Sequence, residues 1–233
     1  MPVSGIMLRM ANRAYASIWV RDFSEETLLE SWGKFLSTVP FSKERPGFGE
    51  LVIRAIDTAE TPILEQDLRS GEYGAEVLID LAREHIHVDS SYETQAWWDL
   101  QLYDARSNGW ELKPQPVAIN CYGNEFDDGL SQEHGHFLID AGFEHLFTGH
   151  AGLLGFRGTP GQYGEHPDEG TFVALMSQPE NLRAYHEKTC ENIRKLYDWI
   201  ARIETALPVE RYRLWSEGEA NFEARMEEIL AGR

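Results

Sequence analysis

A long amphipathic helix near the carboxyl terminus constrains the fold more than any other stretch of this chain. Ser177-Gln178-Pro179-Glu180 forms a capping box with proline in the first turn, which is typical of a helix start. Apolar residues and one threonine then recur at steps of three and four, ending before Pro208: Leu182, Thr189, Ile193, Leu196, Ile200, Ile203 and Leu207. Such a helix of about 28 residues is ~42 Å long. Because its apolar stripe covers one side only, it must pack along a sheet or against another helix.

The first half of the chain alternates strands with helices. Alternating or continuous apolar patterns predict strands over 14–20, 48–57 and 95–103. Ser24 is a good N-cap, followed by two glutamates that favour the helix dipole and by a helical stripe. A second helix is predicted over 74–85.

The second half begins with two strands, predicted at 117–122 and 134–140, on either side of an acidic turn over 125–129. Glycine then recurs at every third position from Gly149 to Gly164. The residues between these glycines include several apolar ones and a single proline, so a collagen helix is excluded and a packed, ordered loop is favoured. A second capping box at Ser216 predicts the last helix.

These elements predict an α+β fold, because the helices do not strictly alternate with the strands. We expect an antiparallel or mixed sheet with helices packed on it, a long C-terminal helix, and a first half that fits a ferredoxin-like order. No repeat or long linker interrupts the chain, so residues 1–233 are predicted to form a single domain. Two abutting lobes, 1–110 and 111–233, remain the alternative.

Charge is the strongest compositional feature, with a net value of −18 that is unevenly spread. Residues 61–150 carry 4 basic and 17 acidic residues and hold most of the excess. A negative field of this kind repels nucleic acid and anionic lipid and attracts basic proteins. We therefore expect a basic protein partner, and neither nucleic acid nor membrane. Plain solubility is the competing explanation for the same charge.

Targeting and cofactor motifs are missing from the sequence. The start of the chain shows no signal peptide, and no stretch approaches the ~18 apolar residues of a membrane span. Two cysteines, Cys121 and Cys190, form no CxxC and fit a reducing compartment, so a cytoplasmic location is predicted. Nucleotide, dinucleotide and common hydrolase motifs are absent, and no cofactor is expected.

Two histidines supply the main alternative chemistry. His134 and His136 lie two residues apart on a predicted strand, so their side chains share a face with Asp140. Two imidazoles and a carboxylate are ligands for zinc, manganese or iron, and would suit a metal-dependent hydrolase. The simpler explanation is a pair of polar residues at the start of a strand. Cys121 is a weaker candidate nucleophile, because cysteine inside an apolar strand usually packs as a small hydrophobe.

In layout, the chain resembles the bacterial immunity proteins that neutralise secreted polymorphic toxins. The features attached to this likeness are Trp32-Gly33, Cys121-Tyr122-Gly123-Asn124 and the glycine segment from Gly149 to Gly164. The resemblance implies an acidic, non-enzymatic α+β protein whose target is a toxin, in some similar members a nuclease. It covers the general layout and supplies no family residues.

The sequence therefore favours an inhibitor that covers the basic cleft of a nuclease-type toxin, with its acidic middle third as the contact surface. The residues predicted to contact the partner are Glu125, Asp127, Asp128 and Glu133. The metal-dependent hydrolase is one alternative. A structural or assembly protein is the other, since seven tryptophans are more than a bare scaffold needs. Oligomeric state is not predicted.

Overall fold

The structure is a computed structural model that describes residues 12–104, 107, 109–150, 153–154 and 167–232. The strands are β1 Arg13–Val20, β2 Phe48–Ala55, β3 Leu64–Asp67, β4 Ser90–Asp104, β5 Gly109–Tyr122, β6 Phe137–Phe143 and β7 Val209–Ser216. The helices are α1 Glu25–Leu36, α2 Ala75–Ala82, α3 Leu130–His134, α4 His145–Thr148, α5 Pro167–Met176, α6 Pro179–Ala206 and α7 Phe222–Leu230. The predicted α+β class is confirmed.

All seven strands join one sheet in the order β3-β2-β4-β5-β6-β1-β7, and every neighbouring pair is antiparallel. β1 lies between β6 and β7, so a division into 1–110 and 111–233 would separate hydrogen-bonded strands. The ferredoxin-like order predicted for the first half is not present, because β4, β5 and β6 all lie between β1 and β2. That order would place one strand there.

One face of the sheet, the inner face, is buried under the helices. Its side chains are almost fully buried and come from alternate positions of five strands: Ala16, Ile18, Leu51, Ile53, Tyr92, Trp98, Val117, Ile119, Phe137 and Ile139. Trp98 contacts Trp199 of α6, with ring centroids 5.5 Å apart. On the opposite face, the outer face, the His134 ring of α3 lies 6.0 Å from the ring of Trp215. None of the helices in the described ranges is both long and apolar enough to cross a membrane.

The long helix α6 agrees closely with its prediction, and it begins at Pro179 as the capping box indicates. It is not the last element, because β7 and α7 follow it. The sequence analysis missed β7. Only Leu214 of this edge strand is buried, and its arginines interrupt the alternation of apolar and polar residues that indicates a strand. α7 accordingly begins at Phe222, well after Ser216.

The β4–β5 hairpin extends past the rest of the sheet, and both strands are longer than predicted. β4 pairs with β2 only as far as Ala96, which leaves its far part without a strand on that side. Asn192 of α6 supplies hydrogen-bond partners to β4 in place of a strand. Its side-chain oxygen accepts the Gln101 N–H (2.8 Å), and its amide nitrogen donates to the carbonyls of Gln101 and Leu146 (both 3.1 Å). One buried amide thus pairs both backbone groups of Gln101 on the unpaired edge of β4.

We expect the Asn192→Ala variant to lower the free energy of unfolding by about 3 kcal/mol, because it leaves three buried backbone groups without partners. Asn192 is 1% exposed, so water does not replace its amide without opening the structure. Urea denaturation monitored by circular dichroism measures the change. Asn221→Ala is the matched control, because Asn221 is exposed and makes no side-chain cap. Equal effects of the two variants would contradict the role given to Asn192.

Candidate functional site

Three loops meet at the upper end of the sheet, the end at which β1, β2 and β5 finish. We call residues 56–60, 86–89 and 123–129 the upper loops. The Ile56 N–H donates to the Asp89 carbonyl (2.9 Å), the Glu125 N–H to the Val88 carbonyl (2.9 Å) and the Asp127 N–H to the Ile56 carbonyl (2.7 Å). Because these bonds join backbones, the three loops form one connected surface whose shape is fixed before any partner binds.

Backbone strain is concentrated at this end. In the described part of the chain, the non-glycine residues with positive φ are Asp22 (54°), Ile56 (76°), Asp127 (49°) and Asp128 (54°). Asp22 lies in the turn after β1, and the other three belong to the upper loops. A β-branched residue such as Ile56 is a true outlier in this conformation, which costs about 1–2 kcal/mol. Strain of this kind is typical of functional sites, where the surrounding structure holds it in place.

The upper loops carry six carboxylates and neither lysine nor arginine. Two of these acids shape the loops: Asp57 accepts the Ala59 N–H (2.7 Å), and Asp127 accepts the Thr58 hydroxyl (2.8 Å). Glu60, Glu125 and Asp128 are exposed. Of the ion pairs formed by the described residues, only His87–Asp89 involves an upper-loop carboxylate. Among the residues that the structure describes, most of these carboxylates therefore have no cationic partner.

Two exposed isoleucines lie beside these acids. Ile56 is 61% exposed and Ile63, which precedes β3, is 50% exposed. The Ile63 N–H donates to Ile53 at the end of β2, so both side chains belong to the upper end. Apolar side chains surrounded by charged ones are arranged as in a protein interface, which has an apolar centre and a polar rim. We call Ile56, Ile63 and the six upper-loop carboxylates the upper patch.

The structure brings together three of the four residues predicted to contact a partner. Glu125, Asp127 and Asp128 share one loop, whereas Glu133 lies on α3. The Glu133 carbonyl accepts a hydrogen bond from Arg213 (3.3 Å) of β7, and β7 is the edge strand farthest from β2 and β3. α3 directly follows the loop that holds the other three, so contact of all four residues with one partner stays a prediction.

The predicted strand over 134–140 is also wrong at its start. His134 is the last residue of α3, Gly135 has φ 90°, and β6 begins only at Phe137. A Cβ atom at Gly135 would lie 2.6 Å from the backbone nitrogen of Ile18, so this turn requires glycine. His134 and His136 consequently do not share a strand face.

Two of the three predicted metal ligands, Asp140 and His136, make hydrogen bonds or ring contacts with other residues. Asp140 is held by Arg13, whose Nε lies 2.8 and 2.9 Å from its two carboxylate oxygens. His136 accepts the Val20 N–H at Nδ1 (3.0 Å) and stacks on Phe23, with ring centroids 4.3 Å apart. Within the described ranges, no three His, Cys, Asp or Glu side chains are grouped so as to hold a metal ion.

Two further predictions concern Cys121 and the glycine segment. Cys121 is fully buried on the inner face, and burial raises the pKa of its thiol well above the usual range. A thiol in this state packs as a small hydrophobe and does not act as a nucleophile. Most of the glycine segment from Gly149 to Gly164 lies outside the described residues, so its predicted order stays a prediction.

Sequence reasoning identified the acidic loop over 125–129 but missed Ile56, which is hydrogen-bonded to that loop and to Asp89. An isoleucine after a strand carries no signal of positive φ, because that conformation is imposed by the hydrogen bonds to Asp89 and Asp127. Comparisons with known protein families, with curated proteins and with solved structures give no match for this chain. Function therefore rests on the chemistry of these residues.

We expect Ile56→Asn to raise the free energy of unfolding by about 1 kcal/mol, because asparagine tolerates positive φ far better than a β-branched residue. Little apolar burial is lost, since most of the Ile56 side chain is exposed. Ile63→Asn is the control. It makes the same chemical change at another exposed site without positive φ, and it should give no gain. Urea denaturation compares the two, and equal destabilisation would show that Ile56 is not strained.

The lowered pKa of His136 leads to a prediction of how the stability of the protein depends on pH. Burial lowers the pKa of His136 to about 4, below its ordinary value of 6.5. The folded state therefore favours the neutral ring, and its contribution to stability is complete above pH 6.5. That contribution declines as the pH falls from 6.5 towards 4. His145 acts in the same direction, because burial, with a smaller contribution from His150, lowers its pKa to about 3.

Urea denaturation at several pH values should show a smaller loss of stability over this window for His136→Asn than for the unmodified protein. Phe23→Leu removes the stacking partner and keeps the titrating ring. It should lower stability at every pH and retain the pH dependence. An unchanged pH dependence in His136→Asn would contradict the assignment.

Proposed function

We propose that the chain is a non-enzymatic binding protein that covers a basic surface of another protein with its upper patch. The observation that carries the proposal is the set of six carboxylates, without lysine or arginine, on three loops joined backbone to backbone around the exposed Ile56. Negative charge alone would serve solubility. Charge on a fixed surface with an apolar centre has the features of an interface.

Preorganisation of this surface favours tight binding. Loops that are already hydrogen-bonded to one another lose little conformational entropy when a partner docks, so more of the contact energy appears as affinity. Uncompensated carboxylates attract a basic partner over distances near the Debye length, about 8–10 Å in physiological salt. Such attraction raises the association rate more than it slows dissociation.

Within this class we propose an immunity protein for a nuclease-type toxin. A nuclease must present a basic cleft to hold phosphates, and an array of fixed carboxylates is able to occupy that cleft in place of nucleic acid. The resemblance in layout to immunity proteins of polymorphic toxins supports this narrower assignment. The upper patch is the part of the chain that would enter the cleft.

The test uses the purified product of the reading frame adjacent to the gene for this chain. Stopped-flow or surface plasmon resonance measures the association rate between about 20 mM and about 500 mM salt, a range over which exposed charges become screened. We expect tight 1:1 binding whose association rate falls steeply with salt. Glu125→Gln/Asp128→Asn should reduce the rate several-fold at low salt and have little effect at high salt.

Glu180→Gln/Glu187→Gln is the matched control. It removes two exposed carboxylates from the first half of α6, which packs at the lower end of the sheet, and it should leave the association rate nearly unchanged. Ile56→Asn should increase dissociation, although the same change is expected to stabilise the free protein. Equal effects of the two double variants would exclude the upper patch as the contact surface. Absence of binding would overturn the immunity assignment.

A further inference from the structure

A cavity of about 270 Å³ lies at the lower end of the molecule, between the far part of the β4–β5 hairpin, α4, α5 and α6. Tyr103 and Trp110 come from the hairpin, Phe172 from α5 and Tyr185 from α6. His145 and His150 complete the aromatic part of the wall. Neither the upper patch nor any residue predicted to contact a partner belongs to this cavity.

Four of these side chains form a closed ring of aromatic contacts. Ring centroids are 5.7 Å apart for Tyr103–Trp110, 5.4 Å for Trp110–Tyr185, 5.8 Å for Phe172–Tyr185 and 5.6 Å for Tyr103–Phe172. These separations fall in the range of favourable aromatic pairs. The four residues come from four elements, β4, β5, α5 and α6, so tertiary packing, and not local sequence, assembles the ring.

The described residues that line the cavity include neither an acid nor a lysine or arginine. Gln101 donates to Glu191, and Glu191 also pairs with Lys188, so this carboxylate beside the cavity is already compensated. Burial and the neighbouring His150 lower the pKa of His145 to about 3, and its imidazole is therefore neutral at physiological pH. A charged ligand would lose its hydration here without gaining a partner of opposite charge.

We propose that this cavity is a binding site for an uncharged, planar aromatic molecule of one or two fused rings that donates a hydrogen bond to His145. The volume lies at the lower limit for small-molecule sites, which restricts the ligand to this size. The aromatic walls supply stacking and edge contacts. His145 is a lining residue whose imidazole would accept the hydrogen bond and so orient the ligand.

Indole is the probe, since it has two fused rings and one N–H donor. Ligand-observed saturation-transfer NMR and isothermal titration calorimetry should give a dissociation constant below about 1 mM, as expected for an efficient ligand of its size. Tetramethylammonium tests a cation and cyclohexanol tests a non-aromatic ring, and both should bind at least tenfold more weakly. Tighter binding of either one, or no binding of indole, would overturn the proposal.

Two variants locate the site and its hydrogen bond. Phe172→Ala should weaken indole binding at least tenfold, whereas Phe41→Ala, which removes a partly buried aromatic ring elsewhere, should not. Melting temperatures of both variants show that they are folded. His145→Phe keeps an aromatic ring and removes the acceptor, so indole should then bind no better than 1-methylindole. In the unmodified protein indole should bind several-fold more tightly than 1-methylindole, and equal affinities there would contradict the hydrogen bond to His145.

These outcomes are independent of the proposed inhibitor function. The cavity is built from the lower half of the hairpin and the first half of α6, whereas the upper patch follows the opposite ends of the strands. Failure of indole to bind would leave the association of a basic partner unaffected. Failure of the partner to bind would equally leave the cavity unaffected.

Discussion

The unpaired edge of the β4–β5 hairpin is the constraint on which the rest of the structure depends. β4 has a strand partner on this side only as far as Ala96, and its remaining backbone groups would otherwise be buried without hydrogen bonds. Asn192 and Lys195 of α6 supply partners at Gln101 and Asp99. α6 must therefore lie along the hairpin, and its apolar stripe then buries Trp98 and Leu100.

This position of α6 separates the molecule into two chemically different ends. At the lower end, the hairpin, α4, α5 and α6 enclose a cavity lined by aromatic rings. At the upper end, short connections between strands converge, and their backbones bond to one another. The strain at Ile56 is a consequence of that convergence, since its N–H and carbonyl are both committed to neighbouring loops.

The sequence predicted the elements whose signals are local. α6 begins at its capping box and ends near Pro208, and β1 is a largely buried strand, as its apolar sequence predicted. Elements that depend on neighbours were misread: β7 shows little apolar alternation because it is an edge strand, and the start of β6 is displaced by the turn at Gly135. The candidate site also combines features with a local sequence signal and features that depend on neighbouring strands. Acidity in the loop after β5 was visible, but its pairing with Ile56 and the assembly of four aromatic rings depend on strand order, which no local pattern encodes.

The distribution of the acids supports the proposed binding surface over plain solubility as the explanation of the charge. Many carboxylates of the acidic middle third lie beside a cation of their own: Asp67 beside Arg69, Asp80 beside Arg83, Glu93 beside Arg54, Glu111 beside Lys113 and Asp140 beside Arg13. These pairs are spread over α2, the sheet and the hairpin, as solubility alone would produce. The upper loops differ, because six acids occur there without lysine or arginine and around an exposed apolar side chain. Repulsion within such a group destabilises the free protein, and a basic partner would relieve it.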